Sequence, residues 1–479
     1  MFKNAKIISF FTIISRIFGY LRDFIIAKYF GTTIYTDMFF IVFRMPNSLR
    51  RFLGEGAINS SVVPVLSKID DKDRAKAVWN IIILFTIILF VVATLGVIFS
   101  KELIAVFSAG FLHSEQFQLM DSMVKITFPY IFIVGLYVLL MGILNTFNRF
   151  AYAAFAPTLL NVGIILSVYF LFSQFTNPVY SLCVGVLFGG VLQLLAVLYD
   201  FSKLKLKFHF SLKIEDSTKE MLKLMSITAL GGGVFQIASM IDAFMASFMA
   251  SGSFSYLFYA NRLFQLPFAV FSIALTQSSL PDLSKLNKNE LIDKLHILTK
   301  FVSFISIFVT LYFLFFGKVI IKLLFEHGRF NQTSTLNTYY ALAFMILGFF
   351  FFSQTKILSN AFYAVKDAKT PLKASIFAAL ASIVFSIVLG LEYGFKGLAC
   401  AVTISGFVNM LFLVKFINKE FKTLSFNNFF DYKLLLIFFI LTISSFIIHA
   451  LNFEYIIEIL LSSLLYTIIF YFNLTNYIK

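Results

Sequence analysis

Charge is what this sequence has least of for its length. Only 13% of its 479 residues are Asp, Glu, Lys or Arg, against roughly 25% in a soluble globular domain. Hydrophobic residues make up 59%, and the mean hydropathy is +0.89. So few charges cannot clothe a water-soluble surface, and the composition indicates a polytopic membrane protein. Cysteine is nearly absent: Cys183 and Cys400, both inside apolar segments, read as small buried hydrophobes, not as a disulfide or a metal pair. No Walker loop, HExxH or comparable metal-binding motif occurs, and His113, His209, His296 and His327 fall in loops or at span ends. That argues against a membrane-embedded enzyme, and the adjacent acid and histidine of EHGRF at 326–330 read as an ordered turn. No small-x-small cleavage site follows the first apolar run, which Arg16 interrupts, so the N-terminus reads as an uncleaved span.

What is abundant is apolar length. A membrane-crossing helix needs about 20 largely apolar residues, and candidates lie near 7–29, 34–60, 78–99, 124–147, 154–173, 179–200, 224–250, 255–281, 298–317, 338–363, 372–391, 395–417, 433–450 and 454–473. The expectation is an all-α protein of about fourteen spans. The second is the least regular, with Pro46, Gly54 and Gly56 among charges; broken helices are tolerated where they line a cavity or are buried in protein. The 66 phenylalanines suit lipid and carry no functional reading. Loops after even-numbered spans are rich in lysine and arginine, as at Lys68, Lys72, Arg74 and Lys76 or Lys203, Lys205, Lys207 and Lys213. Loops after odd-numbered spans are poorer, which predicts that both termini are cytoplasmic. The +15 formal charge is then mostly topogenic and calls for no nucleic-acid partner.

The chain also resembles itself. FAPTLLN around Pro157 matches KTPLKAS around Pro371, ILNTF at 143–147 matches ILSNA at 357–361, and SSVVPVLSK at 60–68 matches SSLPDLSK at 278–285. RDFIIAKYF at 22–30 likewise matches IDAFMASFM at 241–249, and all four offsets lie between 214 and 219. Six spans per repeat keep the two copies in one orientation, which implies two lobes related by a pseudo-two-fold along the membrane normal, with a site between them. The expected divisions are 1–215, 216–423 and a two-span appendage at 424–479. The connector 201–223 carries Ser217 and Glu220, spaced as a capping box for the next helix, and its bases suit anionic headgroups or a purely topogenic role.

Charges inside spans are costly, about 2.5–3.5 kcal/mol each at the bilayer centre on insertion scales, and face cavities or partners. Arg16 and Asp23 stand seven apart and so fall on nearly one helix face, sharing a cavity wall, whereas Arg22 points off that line. Asp37 and Arg44 have the same spacing; Arg50, Arg51 and Glu55 follow Pro46, and Asp242 and Arg262 interrupt spans 7 and 8. Internal pairing and snorkelling are the structural alternative. Six arginines against four acids leave a cationic excess that calls for an anion, and arginine's fork suits phosphate oxygens.

In order along the chain, SRIFGYLRD, TDMFF, MPNSLRRFLGEGAINSSVVPVL, ITFPYIF, ILNTFNRFAYAAFAPTLLNV, YANRLFQLPFAV and LFEHGRF resemble the MurJ (MviN) family of lipid II flippases across twelve spans. The resemblance implies the multidrug/oligosaccharidyl-lipid/polysaccharide exporter fold, a bacterial inner-membrane location, and no catalysis. The implied cargo is lipid II, undecaprenyl-pyrophosphate-linked disaccharide-pentapeptide, moved by alternating access among membrane lipids and beside cell-wall synthesis proteins. It carries substrate roles onto Arg16, Arg22, Asp37, Arg51 and Arg262, with Asp23 and Glu55 in the same motifs. Asn261 stands where many members have an acid, so no carboxylate role is carried there. No cofactor is expected; coupling to membrane potential or a cation is, with Asp242 its candidate residue or else a structural partner. The arginine excess speaks against a cationic-drug antiporter and leaves an exporter of another lipid-linked oligosaccharide as the alternative.

Overall fold

The computed structural model describes residues 2–53, 58–421, 429, 432–451 and 454–478. Every regular element among them is helical. That follows from the solvent, since a bilayer offers the backbone no hydrogen-bond partner and a helix satisfies its own N–H and C=O groups. Packing divides the chain into two units, Met1–Ser251 and Gly252–Lys479.

The first unit contains α1 (Phe2–Phe30), α2 (Ile34–Leu53), α3 (Asn59–Lys68), α4 (Asp71–Ile98), α5 (Ser100–Ser108), α6 (Phe117–Thr127), α7 (Tyr130–Thr146), α8 (Ala151–Leu171), α9 (Val179–Ser202) and α10 (Asp216–Ala246). Within it α8 lies along α9 and α1, α7 packs on α4 and α9, and α10 packs on α2, α3 and α5. Packing therefore groups α10 with the helices before it, whereas the repeat in the sequence predicts a second lobe from residue 216. The α8–α9 contact depends on small residues: a Cβ added at Gly189 would stand 2.6 Å from the Leu160 carbonyl oxygen, and one at Gly185 2.9 Å from the Ile164 Cα. Without a hydrophobic drive between helices in lipid, such close approach is what holds them.

The second unit contains α11 (Ser253–Pro267), α12 (Ala274–Leu283), α13 (Lys288–Phe325), α14 (Gln332–Ala364), α15 (Lys369–Tyr393), α16 (Phe395–Phe421), α17 (Tyr432–Ala450) and α18 (Tyr455–Ile478). A π-helical stretch, Phe268–Ile273, joins α11 to α12 just after Pro267. There α15 lies along α16, α14 packs on α13 and α16, and α17 and α18 both pack on α13. Its core gathers Leu283, Leu295, Leu358, Phe362, Leu413 and Ile417. Polar side chains on α14 act as locks. The Ser353 and Ser272 hydroxyls are 2.6 Å apart, Asn360 donates to the Thr276 carbonyl at 2.7 Å, and Gln354 donates to the Thr299 carbonyl at 2.9 Å.

Helix boundaries recur along the chain. α1 ends at Phe30 and α10 at Ala246, α4 begins at Asp71 and α13 at Lys288, and α8 begins at Ala151 and α15 at Lys369. Even the turns match: Asn148 (φ 57°) and Lys366 (φ 63°) are left-handed residues closing α7 and α14. In each, the following amide reaches back five residues, Arg149 N–H to Leu144 C=O at 3.0 Å and Asp367 N–H to Phe362 C=O at 2.9 Å, a Schellman termination.

Among the described residues nine helices or helix pairs are long and apolar enough to cross a membrane, and shorter apolar helices lie at Leu436–His449 and Tyr455–Tyr471. Arg16, Arg22 and Asp23 interrupt α1, and Asp37 and Arg44 interrupt α2. Cys183 and Cys400 are both free thiols.

The capping box expected from Ser217 and Glu220 does not form. α10 already begins at Asp216, which places Ser217 inside the helix, with extended Glu215 before it (ψ 156°) and no side-chain cap. The Asn80 side chain of α4 serves that end instead, its oxygen accepting the Glu215 N–H at 3.3 Å and the Thr218 hydroxyl at 2.7 Å. A complete capping box opens α13, where Asn287 and Glu290 bond each other's backbone amides.

Candidate functional site

On α1, Arg22 and Asp23 are buried, 8% and 4% exposed. The Arg22 guanidinium donates from Nε and Nη2 to Asp23 Oδ1 at 2.9 and 2.6 Å, and from Nη1 to Asn161 Oδ1 on α8 at 2.9 Å. Asn161 in turn donates from Nδ2 to the Ser15 carbonyl at 3.3 Å. Neighbours at i and i+1 point about 100° apart on a helix, but the long arginine stem lets the guanidinium swing back to the carboxylate. The buried charge is thereby neutralised, and two helices are tied together by charge-assisted bonds.

Arg22, which helix spacing sets off the line of Arg16 and Asp23, is drawn back to Asp23. Asp23 faces Arg22 within the unit, while Arg16, two turns earlier, is exposed. Asn161 bonds the carbonyl of Ser15, immediately before Arg16, so the Arg22–Asn161 pair fixes the stretch of α1 that carries the exposed cation. Asp37 is buried in the first turn of α2, where the helix N-terminus favours a negative charge. It follows a tight turn in which Gly31 takes φ 66° and the Thr36 hydroxyl donates to the Gly31 carbonyl at 3.0 Å. Arg44 is half-buried on the same helix.

Arg51 belongs to α2 by its backbone, but its side chain lies outside the described residues, as does all of Glu55. Asp242 is half-buried on α10. In the second unit Arg262 is half-buried on α11, its guanidinium carbon 4.8 Å from the centre of the Phe258 ring one turn before it, a cation–π contact. Among the predicted site residues, Arg22 and Asp23 are in direct contact.

Sequence reasoning missed three side chains. Asn161 sits inside the FAPTLLN motif, where an amide in an apolar span is a sign of interhelical bonding. Asn80, in the first turns of span 3, gives the same sign. Lys356 is the one basic residue of α14.

The family model described as "Lipid II flippase MurJ" matches residues 26–470. A probable lipid II flippase MurJ of Buchnera aphidicola is 33% identical over 85% of this chain and 81% of its own length. That of Vibrio cholerae is 32% identical over 87% and 82%, and the lipid II flippase MurJ of Burkholderia cenocepacia 32% over 86% and 83%. Among solved structures, a lipid II flippase MurJ in an inward closed conformation aligns over 98% of this chain and 99% of its own, with TM-score 0.85 and 31% identity. An inward-facing MATE family transporter of the MOP superfamily shares the fold at 16% identity, with TM-score 0.67 over 86% and 96% of the two chains. The chain, a multi-pass membrane protein, belongs to the MurJ family of lipid II flippases.

Proposed function

We propose that this protein carries lipid II from the cytoplasmic to the periplasmic face of a bacterial inner membrane by alternating access, returning it chemically intact. The observation that carries the reading is the match to MurJ relatives over nearly the whole chain, in sequence and in fold together. Its cargo has a polar, doubly charged head that hydrocarbon excludes and a polyprenyl tail that stays in lipid. Transport therefore needs cations in a solvated cavity and an apolar groove beside it.

Reading α2 with α3, α4 with α5, α6 with α7, and α11 with α12 as paired segments supports fourteen membrane-crossing units. The recurring boundaries support two six-span lobes related by a pseudo-two-fold, divided near residue 215, with both termini cytoplasmic. Arg16, Arg51 and Arg262 are the cations for the pyrophosphate, with Asp37 and Glu55 positioning them. Arg22 and Asp23 frame the site by holding α1 on α8. α17 and α18, the latter bonded to α13 through Ser463 and Tyr312 at 2.8 Å, form the tail groove. Asp242 couples the cycle to a cation or to membrane potential. Depleting the protein tests the function: precursor should accumulate on the cytoplasmic face, and accumulation on the periplasmic face would refute it.

A further inference from the structure

The connector between α9 and α10 has a pattern that flipping does not require. From Lys203 to Ile214 the even positions are apolar, Leu204 through Phe208 and Phe210 to Ile214, and the odd ones basic or polar, including Lys203, Lys205, Lys207 and Lys213. The stretch forms neither helix nor strand and leaves the end of α9 through a turn and Lys205 at φ 49°; where such a chain runs extended, alternate side chains point to opposite sides. No strand pairs with it among the described residues. Phe208, Phe210 and Leu212 are 66%, 64% and 64% exposed, which an aqueous loop would not sustain.

Its lysines also form no close ion pair, although Lys213 acts on Asp216 at longer range. The carboxylates at its ends hold other bases: Asp200 with Arg149 at 2.9 Å, Glu215 with Lys76 at 3.7 Å, Asp216 with Lys219 at 2.9 Å. Among the described residues no carboxylate forms an ion pair with Lys205, Lys207 or Lys213. Yet the segment is held firmly. Asn80 donates to the carbonyls of Ser211 at 3.2 Å and Lys213 at 2.8 Å while accepting from Glu215 and Thr218. Beside it, Trp79 packs edge-on against Phe208, ring centres 4.8 Å apart, and Lys203 lies 4.0 Å over the Tyr199 ring. Tryptophan, tyrosine and lysine at the end of a membrane helix mark the headgroup level.

We infer that residues 203–214 form an interfacial strap, apolar side chains in the acyl boundary and lysines on anionic phospholipid headgroups, with Asn80 setting its depth. An exposed apolar edge alternating with unpaired bases is complementary to an anionic bilayer surface.

Trp79, the chain's single tryptophan, reports on the strap directly. Full-length protein in nanodiscs should have its emission quenched more by brominated phosphatidylglycerol than by the same fraction of brominated phosphatidylcholine, and salt should narrow the difference. Lys205→Gln/Lys207→Gln/Lys213→Gln should erase the preference, at roughly fivefold weaker anionic-lipid partition per lysine removed. Asn80→Ala should shift Trp79 emission to the red. Equal quenching of the native protein by both lipids overturns the inference, as does a preference that survives the triple change. An Asn80 variant with unaltered emission removes Asn80 as the anchor.

Discussion

Arg22 of α1 and Asn161 of α8 are joined at 2.9 Å, with Asp23 neutralising the same guanidinium. The three side chains divide the arginines of the first span into one that builds the protein and one, Arg16, that is exposed. Removing a single partner should expose the difference. Arg22→Ala removes the cation paired with the buried Asp23 carboxylate and should cost about 3–5 kcal/mol, whereas Asn161→Ala leaves a guanidinium N–H unsatisfied and should cost about 1–3 kcal/mol. Thermal unfolding of the purified variants measures both, and an unchanged Tm for Arg22→Ala would contradict the assignment.

Arg16, Arg51 and Arg262 should behave in the opposite way. Each Arg→Ala variant should insert and melt as the native protein does yet lose transport, since it relieves an insertion cost while removing charge-assisted bonds to pyrophosphate. Lysine keeps the charge without the planar fork and should restore activity only in part. Complementation scored beside Tm decides the matter: Ala variants that transport normally, or fail only by unfolding, make these arginines structural.

The α8–α9 contact predicts a steric penalty. Gly189→Ala should cost about 1–3 kcal/mol, because its Cβ would meet the Leu160 carbonyl oxygen, which belongs to backbone and cannot rotate away. Gly394→Ala has open space around its Cβ but a backbone at φ 59°, ψ −140° that side-chain-bearing residues avoid, so its loss comes from backbone strain alone. An unchanged Tm for Gly189→Ala would mean helix spacing is not what Gly189 secures.

Asp367, in the turn between α14 and α15, gives a pH signature. The Thr370 hydroxyl, then the Thr370 and Lys369 amides, bond its carboxylate and hold its pKa below the usual range. A depressed folded-state pKa adds stability that is present above the unfolded value of about 3.9 and lost as pH falls through the folded value. Native protein should therefore lose more Tm between neutral pH and acid than Asp367→Asn does. Parallel curves would show that the cap carries no charge effect.

A labelled cargo tests the tail groove. A long-tailed photoreactive lipid should mark residues within α17 and α18, and labelling confined to α4 and α7 would place the groove elsewhere.

Much of this protein is legible in its amino-acid order. Hydropathy alone specifies an all-helical membrane chain, because a bilayer admits little else, and the shared offset of weak matches anticipates helix ends that recur along the chain. The ordered motifs identify the family. Composition and periodicity, however, report on a residue's own helix and say nothing of what stands across from it. The seven-residue spacing sets Arg16 and Asp23 on one face, but a flexible arginine stem and an amide 139 positions away draw Arg22 and Asp23 into a pair. The Ser217 and Glu220 spacing promises a local cap, and Asn80 supplies one from another helix. Local rules settle which segments are helices and which charges are unusual; only tertiary packing settles which charges are satisfied inside the protein and which remain for something outside it.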